Sequence, residues 1–330
     1  MKKITILFLN VIFVNLLFSN SFKLHLLFTN NIHGAIHEVP ARFINPEFSP
    51  ILAGGAGAFT YASKIRKEAK LKEDFVMLTD AGNIFQGSQL GTYDGGSNII
   101  KWMNWMAYDA LAPGVRDFDQ GVNNLSQLAS EANFPFIASN LEGVDGIEDY
   151  KIINANGVKI GLIGLITPFI SEGLLPEYYE GVAVSDIKKT LSTQIEKIRS
   201  DVDLIFVLSH LGIPYDREDE YDDFIEDIEQ GVERPIRNAI ELAHFTDEVD
   251  VIITGGVSKG YDTPWVDPTN HTIVLQNYGN LTGIGHLVLH IDNQNKVIEN
   301  YSFPTERGMM VNLFTDDIWP DKVIQDSIKN

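Results

Sequence analysis

The sequence predicts an α/β protein whose β-sheets are mixed. Short apolar runs rich in Val, Ile, Leu and Phe alternate with segments in which apolar residues recur at helical spacing. This alternation favours a layered α/β fold. Two further segments are typical of β-hairpins, one turning at Asn156-Gly157 and one near 293–295. Hairpins pair their strands antiparallel, so the sheets are not expected to be purely parallel.

The predicted elements follow in chain order. The strand candidates are 23–28, 75–79, 110–113, 135–139, 159–166, 204–209, 251–254, 272–276 and 286–291. The helix candidates are 58–71, 97–108, 121–132, 185–199 and 232–244. We expect Ser185 to cap the fourth helix. The glycine-rich segment 54–57 lacks the Lys-Ser/Thr pair of a phosphate loop and is predicted to be a turn.

Composition excludes several classes of function. The 330 residues are 44% hydrophobic, which is enough for a large core, and the formal net charge is −20. A field of that sign repels phosphate backbones, so we expect no nucleic-acid partner. The absence of cysteine excludes disulfides, thiolate metal sites and a cysteine nucleophile. The acidic segment 216–233 is expected to be a solvated surface.

The N-terminus has the pattern of a secretory signal peptide. Two lysines precede the apolar stretch 4–18, and small residues follow at 19–21. The apolar stretch is short for a membrane span, which needs about 20 residues. We therefore expect a signal peptide over 1–21, a single domain over 22–330 and export to the periplasm, cell envelope or exterior. An uncleaved anchor is the alternative; after cleavage no stable membrane span is expected.

Four predicted strands end in small and polar residues. These ends are TNNIHG from Thr29, TDAGNIFQG from Thr79, SHLG from Ser209 and TGGVSKG from Thr254. In open α/β sheets, ligands bind outside the carboxyl ends of the strands. The four segments are therefore the natural source of site residues.

In order along the chain, these segments resemble the calcineurin-like metallophosphoesterases, and among them the exported 5′-nucleotidase-like branch. TNNIHG corresponds to the family motif T-N-D-x-H-G. DAGNIFQG from Asp80 corresponds to D-x-G-D-x-F-Q-G, and GVRDFD from Gly114 corresponds to G-N-H-[DE]-F-D. The segment 250–258 stands against D-x-I-x-x-G-H-x-H. The resemblance spans about 23–305. It implies a four-layer α/β/β/α sandwich that corresponds to the N-terminal phosphoesterase domain, without the C-terminal nucleotide-binding domain.

The resemblance also implies a metal site, whose residues are largely changed here. The family holds two divalent ions (Mn, Zn, Fe or Mg) that bind the substrate phosphate and activate a water. Against that pattern His33 and His210 are retained, and they would belong to different metals. Six positions differ: Asn31 and Asn83 for Asp, Val115 for Asn, and Arg116, Gly256 and Ser258 for His.

These changes all oppose binding of two dications. Loss of two carboxylates leaves the repulsion between the ions uncompensated, and the guanidinium of Arg116 adds a fixed positive charge. The sequence therefore predicts a pseudoenzyme with no tightly bound cofactor and at most one weak ion. It would act by binding a small phosphorylated ligand or an envelope protein. The alternatives are a residual nucleotide hydrolase with an atypical site, and a structural partner of an intact paralogue that uses segment 216–233.

Arg116 admits two interpretations. A guanidinium binds phosphate or carboxylate without a metal, so Arg116, His33 and His210 would form an anion pocket. Alternatively, Arg116 pairs with Asp117, Asp119 or another nearby acid and only fills the emptied cavity.

Overall fold

The computed structural model describes residues 21–329. Apart from Ser21, with which the first strand begins, the predicted signal peptide lies outside the described residues. Among the described residues, no helix has both the length and the apolar composition that crossing a bilayer requires.

The strands β1 to β18 and the helices α1 to α8 are numbered in chain order. The strands are Ser21–Thr29, Val39–Pro40, Ile51–Leu52, Phe75–Asp80, Ala110–Leu111, Phe136–Ile137, Leu141–Glu142, Ile147–Glu148, Tyr150–Ala155, Val158–Ile166, Ala183–Val184, Leu204–His210, Val251–Thr254, Trp265–Val266, Ile273–Gln276, Gly283–Asp292, Val297–Ser302 and Met310–Asn312. The helices are Gly54–Lys72, Gln89–Thr92, Ser97–Met106, Val122–Glu131, Ile187–Ile198, Arg217–Glu229, Ala239–Phe245 and Lys322–Lys329. Short 3₁₀ turns occupy Val115–Phe118, Ile170–Glu172 and Pro176–Tyr178.

Two large mixed sheets form the centre of the fold, as the sequence predicts. The first has the order β17-β16-β1-β4-β5-β6-β8, with β18 also paired to β16. Within it, β1, β4, β5, β6 and β8 run parallel, and β16 joins β1 antiparallel. The second sheet has the order β14-β15-β13-β12-β10-β9, parallel from β10 to β15 and antiparallel at both edges.

The layering follows from strands that are apolar on both faces. Successive side chains of a strand point to opposite faces. Leu26 and Phe28 of β1 accordingly pack in a core with Leu162 and Phe206 of the second sheet, while Leu27 packs in a separate core with the helices α1, α3 and α4. A third core joins the other face of the second sheet to α5 and α7. The result is the predicted α/β/β/α sandwich.

Both predicted hairpins are confirmed. β9 and β10 pair antiparallel around Asn156 and Gly157, whose φ angles are 53° and 94°. Positive φ at both central residues is the requirement of a type I′ turn, which Asn-Gly meets best. β16 and β17 form the second hairpin, where the Asp292 carboxylate accepts hydrogen bonds from the backbone N–H groups of Gln294 and Asn295.

The prediction of a turn at 54–57 is wrong, because this segment is the first turn of α1. The indole of Trp102, on α3, lies directly against it, and its Nε1 donates to the carbonyl of Gly55 at 3.1 Å. A β-carbon at Gly55 would lie 2.6 Å from that nitrogen. Glycine is therefore required by the close approach of the two helices, which outweighs its low helix propensity.

Two predicted helix starts also need correction. The N-cap of α5 is Asp186 and not Ser185, since the Asp186 carboxylate accepts from the N–H of Lys189 at 2.9 Å. α7 begins well after its predicted start, at the cap formed by Asn238. Pro235 lies just before that cap and disfavours helix in the residue preceding it. The acidic segment, expected to be a loop and helix surface, is mostly the helix α6.

A buried polar chain connects α1 to the first sheet. The hydroxyl of Tyr61 lies 2.7 Å from Nδ1 of His286, whose Nε2 lies 2.9 Å from Nδ1 of His25. His25 Nε2 in turn lies 3.7 Å from a carboxylate oxygen of Asp74. Burial lowers the pKa of His286 to about 3, and burial also lowers the pKa of His25 against the opposing effect of Asp74.

We predict that acidification destabilises the protein through His286. In the unfolded chain this histidine takes up a proton near its ordinary pKa of about 6.5, whereas the folded chain binds it only near pH 3. The free energy of unfolding should therefore fall as pH decreases below about 6.5, by up to ~1.4 kcal/mol per pH unit for this group. Urea denaturation as a function of pH measures it. His286→Gln should flatten the decline, the exposed control His271→Gln should not, and equal profiles for all three proteins would contradict the prediction.

Candidate functional site

The loops that follow β1 and β4 are joined to each other by backbone hydrogen bonds. Asn31 N–H donates to the carbonyl of Gly82 at 2.8 Å, and His33 N–H donates to that of Asn83 at 3.0 Å. Asn31, His33 and Asn83 have φ angles of 51°, 51° and 61°. Left-handed backbone at non-glycine residues costs of order 1–3 kcal/mol each and concentrates at functional sites. The two loops therefore hold three of the predicted site residues in fixed, unusual conformations.

Three of the changed positions form hydrogen bonds with one another. The backbone N–H of Gly256 donates to Asn31 Oδ1 at 2.9 Å, and Asn31 Nδ2 donates to Ser258 Oγ at 3.1 Å. Because the Gly256 N–H can only donate, the atom facing it must be the amide oxygen, which fixes the orientation of Asn31. Asn31 is 2% exposed. The Asn31 side chain thus has partners from the protein itself at both ends.

Asn83 is engaged in the same way. Its Oδ1 accepts from the backbone N–H of Arg116 at 2.8 Å, and the residue is 5% exposed. The α-carbon of Gly114 lies between Asn83 and His210, so an added β-carbon would come 2.4 Å from Asn83 Oδ1 and 2.6 Å from His210 Cε1. The structure therefore brings residues predicted from three separate segments into direct contact.

The two retained histidines are held as hydrogen-bond donors to backbone carbonyls. His33 Nδ1 lies 2.8 Å from the carbonyl oxygen of Gln86, and His210 Nδ1 lies against that of Ala81. A carbonyl accepts only, so Nδ1 carries the hydrogen and Nε2 has a free lone pair. Burial lowers the pKa of His210 to about 4, and burial also lowers the pKa of His33. Both imidazoles are therefore neutral at pH 7 and offer an acceptor, not a donor, at Nε2.

The Asp117 carboxylate connects backbone segments at the base of the site, which is called its floor below. Its carboxylate accepts from the backbone N–H groups of Asn83 at 2.8 Å, Ile84 at 2.7 Å and Gly114 at 2.8 Å, and the residue is fully buried. Burial raises the pKa of Asp117 to about 6, despite these three donors, which favour the ionised form. This side chain joins the loop after β4 to the 3₁₀ turn that carries Val115 and Arg116.

Of the two acidic partners considered for Arg116, the structure selects Asp119. Nη1 of Arg116 lies 3.6 Å from Asp119 Oδ1 and donates to the carbonyl of Gly173 at 3.2 Å. The Arg116 side chain remains half exposed. A separation of 3.6 Å exceeds that of a charge-assisted hydrogen bond, so the pair leaves most of the guanidinium available.

An open cleft of about 380 Å³ lies beside these residues, and of the predicted site residues Asn31, His33 and Ser258 are not part of its lining. Its lining includes Asn83, Arg116, His210 and Gly256, and also two residues that sequence reasoning missed, Phe169 and Arg237. The guanidinium of Arg237 lies over the Phe169 ring, 4.7 Å from its centroid. Arg237 precedes the cap of α7 and belongs to none of the family motifs. No signal in the sequence distinguishes it from a surface arginine.

The residues present do not fit a dinuclear metal centre. In the part of the chain that the structure describes, no group of three or more His, Asp or Glu side chains is placed to hold an ion. The amide oxygens of Asn31 and Asn83 already accept backbone N–H groups. Gly256 offers no side chain, and a guanidinium lies beside the site. Hard and borderline dications prefer carboxylate and imidazole ligands, which are scarce here.

Comparison with known proteins supports the assignment that the motifs suggest. No family model matches the chain. It is 31% identical to a snake venom 5′-nucleotidase of Crotalus adamanteus over 212 residues, covering 60% of this chain and 34% of that protein. It is 27% identical to a 5′-nucleotidase of Vibrio vulnificus over 246 residues, covering 72% of this chain and 40% of that protein. The chain thus spans about a third of the length of the curated relatives that it matches.

Solved structures share the fold over nearly the whole chain. A 5′-nucleotidase precursor from Thermus thermophilus superposes with a TM-score of 0.70 at 20% identity, covering 93% of this chain and 58% of that one. The calcineurin-like phosphoesterase YfkN from Bacillus subtilis superposes with a TM-score of 0.68 at 22% identity, covering 94% and 96%. The chain therefore has a metallophosphoesterase-like fold. Its sequence is similar to those of 5′-nucleotidases, and the matches support its assignment to the N-terminal phosphoesterase domain of these calcineurin-like proteins.

We predict that Asp117→Asn lowers the free energy of unfolding by about 1–3 kcal/mol. An amide presents one oxygen and one NH₂ group, so at least one of the three backbone N–H groups would lose its acceptor. Urea denaturation at pH 7 measures the effect. The control Asp119→Asn breaks only the partly exposed pair with Arg116 and should cost about 1 kcal/mol or less. Equal losses in the two variants would show that Asp117 does not organise the floor.

Proposed function

We propose that this chain has the phosphoesterase fold but binds its ligand without hydrolysing it. The observation that carries the proposal is the hydrogen bonding among the changed positions themselves. Asn31 bonds to Gly256 and Ser258, and Asn83 bonds to the N–H of Arg116. The amide oxygens of Asn31 and Asn83, which stand where a metal would need carboxylates, already accept backbone N–H groups.

Electrostatics support the same conclusion. Two unit charges 4 Å apart interact by about 4 kcal/mol at an effective dielectric of 20, and each pair of dications multiplies that repulsion. In an active dinuclear site, carboxylates offset it. Here neutral amides stand at 31 and 83, and Arg116 supplies a positive charge beside them. A second dication would therefore be repelled by the first, with no carboxylate at position 31 or 83 to offset the repulsion.

The proposal includes export, which the signal-peptide pattern of the N-terminus supports. In the envelope or outside the cell, the protein would capture a small phosphorylated ligand or associate with another envelope protein. Hydrolysis of nucleotides, the activity for which its relatives are named, is the alternative that the following experiment separates.

Purified protein incubated with Mn²⁺ and dialysed should retain far less than one ion per chain by elemental analysis. It should also release no product from a bis-aryl phosphodiester, and no phosphate from a nucleoside 5′-monophosphate, above the rate of a matched His210→Ala variant. The reason is that no acidic ligand remains to hold the ions or to activate water. Using His210→Ala as the reference removes the contribution of contaminating phosphatases.

Two bound ions per chain, with turnover that His33→Ala or His210→Ala abolishes, would overturn the proposal and establish a hydrolase with an atypical site. One weakly held ion without turnover would agree with it.

A further inference from the structure

Two guanidinium groups line the cleft. Arg116 reaches it from the 3₁₀ turn after β5, and Arg237 reaches it from the segment before α7. The first element follows a strand of the first sheet, and the second follows a strand of the second sheet. The two positive charges therefore reach the same cleft only in the folded protein. Each has a carboxylate nearby outside the lining, Asp119 at 3.6 Å from Arg116 and Glu241, which accepts the backbone N–H of Arg237, but the one carboxylate of the lining itself is the exposed Glu172.

The guanidinium of Arg237 has no acidic partner within 4 Å among residues 21–329, and the contact that holds it is the face of Phe169. A cation over an aromatic face is positioned while its edge N–H groups stay available. Arg116 is fixed in a similar way, since one of its N–H groups binds the carbonyl of Gly173 and the others remain exposed. Both guanidiniums are thus preorganised with donors to spare.

We propose that Arg116 and Arg237 bind the phosphate group of a small organic phosphomonoester directly, in place of metal ions. A phosphomonoester is a dianion at neutral pH, and arginine binds phosphate oxygens through parallel charge-assisted N–H···O bonds. The inference rests on the proposed absence of a metal pair from this cleft. It adds the ligand class and assigns a binding residue, Arg237, that lies outside the family motifs.

The rest of the cleft suits the organic part of such a ligand. Its volume of about 380 Å³ is in the range of small-molecule sites. Val115, Leu211 and Val257 supply apolar surface. His210 presents an unprotonated Nε2, which would accept a hydrogen bond from a ligand hydroxyl and would repel the phosphate oxygens. The phosphate is therefore expected at the arginines and the hydroxyl-bearing part at His210.

The net charge of the protein opposes the binding of anions. The chain carries a formal charge of −20, so the protein as a whole repels anions. An anion that binds must do so through short-range contacts with particular groups. This predicts that binding depends on the two arginines and not on general electrostatic attraction.

The test is isothermal titration calorimetry of the purified protein in EDTA, with inorganic phosphate and glycerol 3-phosphate as probes. We expect saturable binding of both probes and no response to glycerol. Arg237→Ala and Arg116→Gln should each weaken glycerol 3-phosphate binding about tenfold or more, because each removes charge-assisted hydrogen bonds. The control Arg42→Ala removes an exposed arginine outside the cleft and should leave the affinity unchanged. Thermal denaturation establishes that each variant is folded, and Arg237→Lys replaces Arg237→Ala if the latter is not.

The outcomes separate this inference from the proposed function. No binding of either probe, with or without Mn²⁺, overturns the inference and leaves the proposal of a non-hydrolysing protein standing. Binding that requires Mn²⁺ overturns the inference, and it overturns the proposed function as well only if hydrolysis accompanies the binding. Equal weakening by Arg42→Ala, or tighter binding of succinate than of phosphate, overturns the assignment of the site or of the ligand class.

Discussion

The site depends on backbone hydrogen bonding that continues beyond the ends of two parallel strands. β1 and β4 pair in register to Thr29 and Asp80, and the chain then keeps the two loops together through bonds such as Ala81 N–H to Thr29 and Asn31 N–H to Gly82. Backbone groups carry these contacts, so they tolerate wide changes of side chain. The cleft can therefore keep its shape although few of the side chains around it are metal donors.

Amides at positions 31 and 83, in place of carboxylates, also remove electrostatic repulsion that would destabilise the folded protein. Clustered carboxylates repel one another strongly unless cations lie between them. Asparagine is close in shape to aspartate, keeps an acceptor oxygen and adds a donor. At Asn31 both capacities are used, by Gly256 and Ser258, and at Asn83 the oxygen receives the N–H of Arg116. The amides at 31 and 83 therefore form hydrogen bonds within the protein without any ion, and the guanidinium groups of Arg116 and Arg237 line the cleft beside them.

The sequence predicts the layers and the location of the cleft because those depend on local patterns. Apolar runs ending in polar residues identified β1, β4, β12 and β13, and all four ends meet at the site. Other features depend on contacts between distant segments. Glycine is needed at position 55 because the indole of Trp102 leaves no room for a β-carbon there. Arg237 is positioned at the cleft by its contact with the Phe169 ring. Neither neighbour is identifiable from spacing along the chain, so neither feature could be predicted.

The conformation of Gly256 limits what a substitution at this position can supply. Its φ of +103° is one that residues with a β-carbon rarely adopt, although a β-carbon there would make only an ordinary contact with the His210 ring, at 3.4 Å. A histidine gained at 256 by a point substitution would strain the backbone before it could serve as a ligand. An imidazole ligand at position 256 would therefore require the backbone of the loop to change together with the side chain.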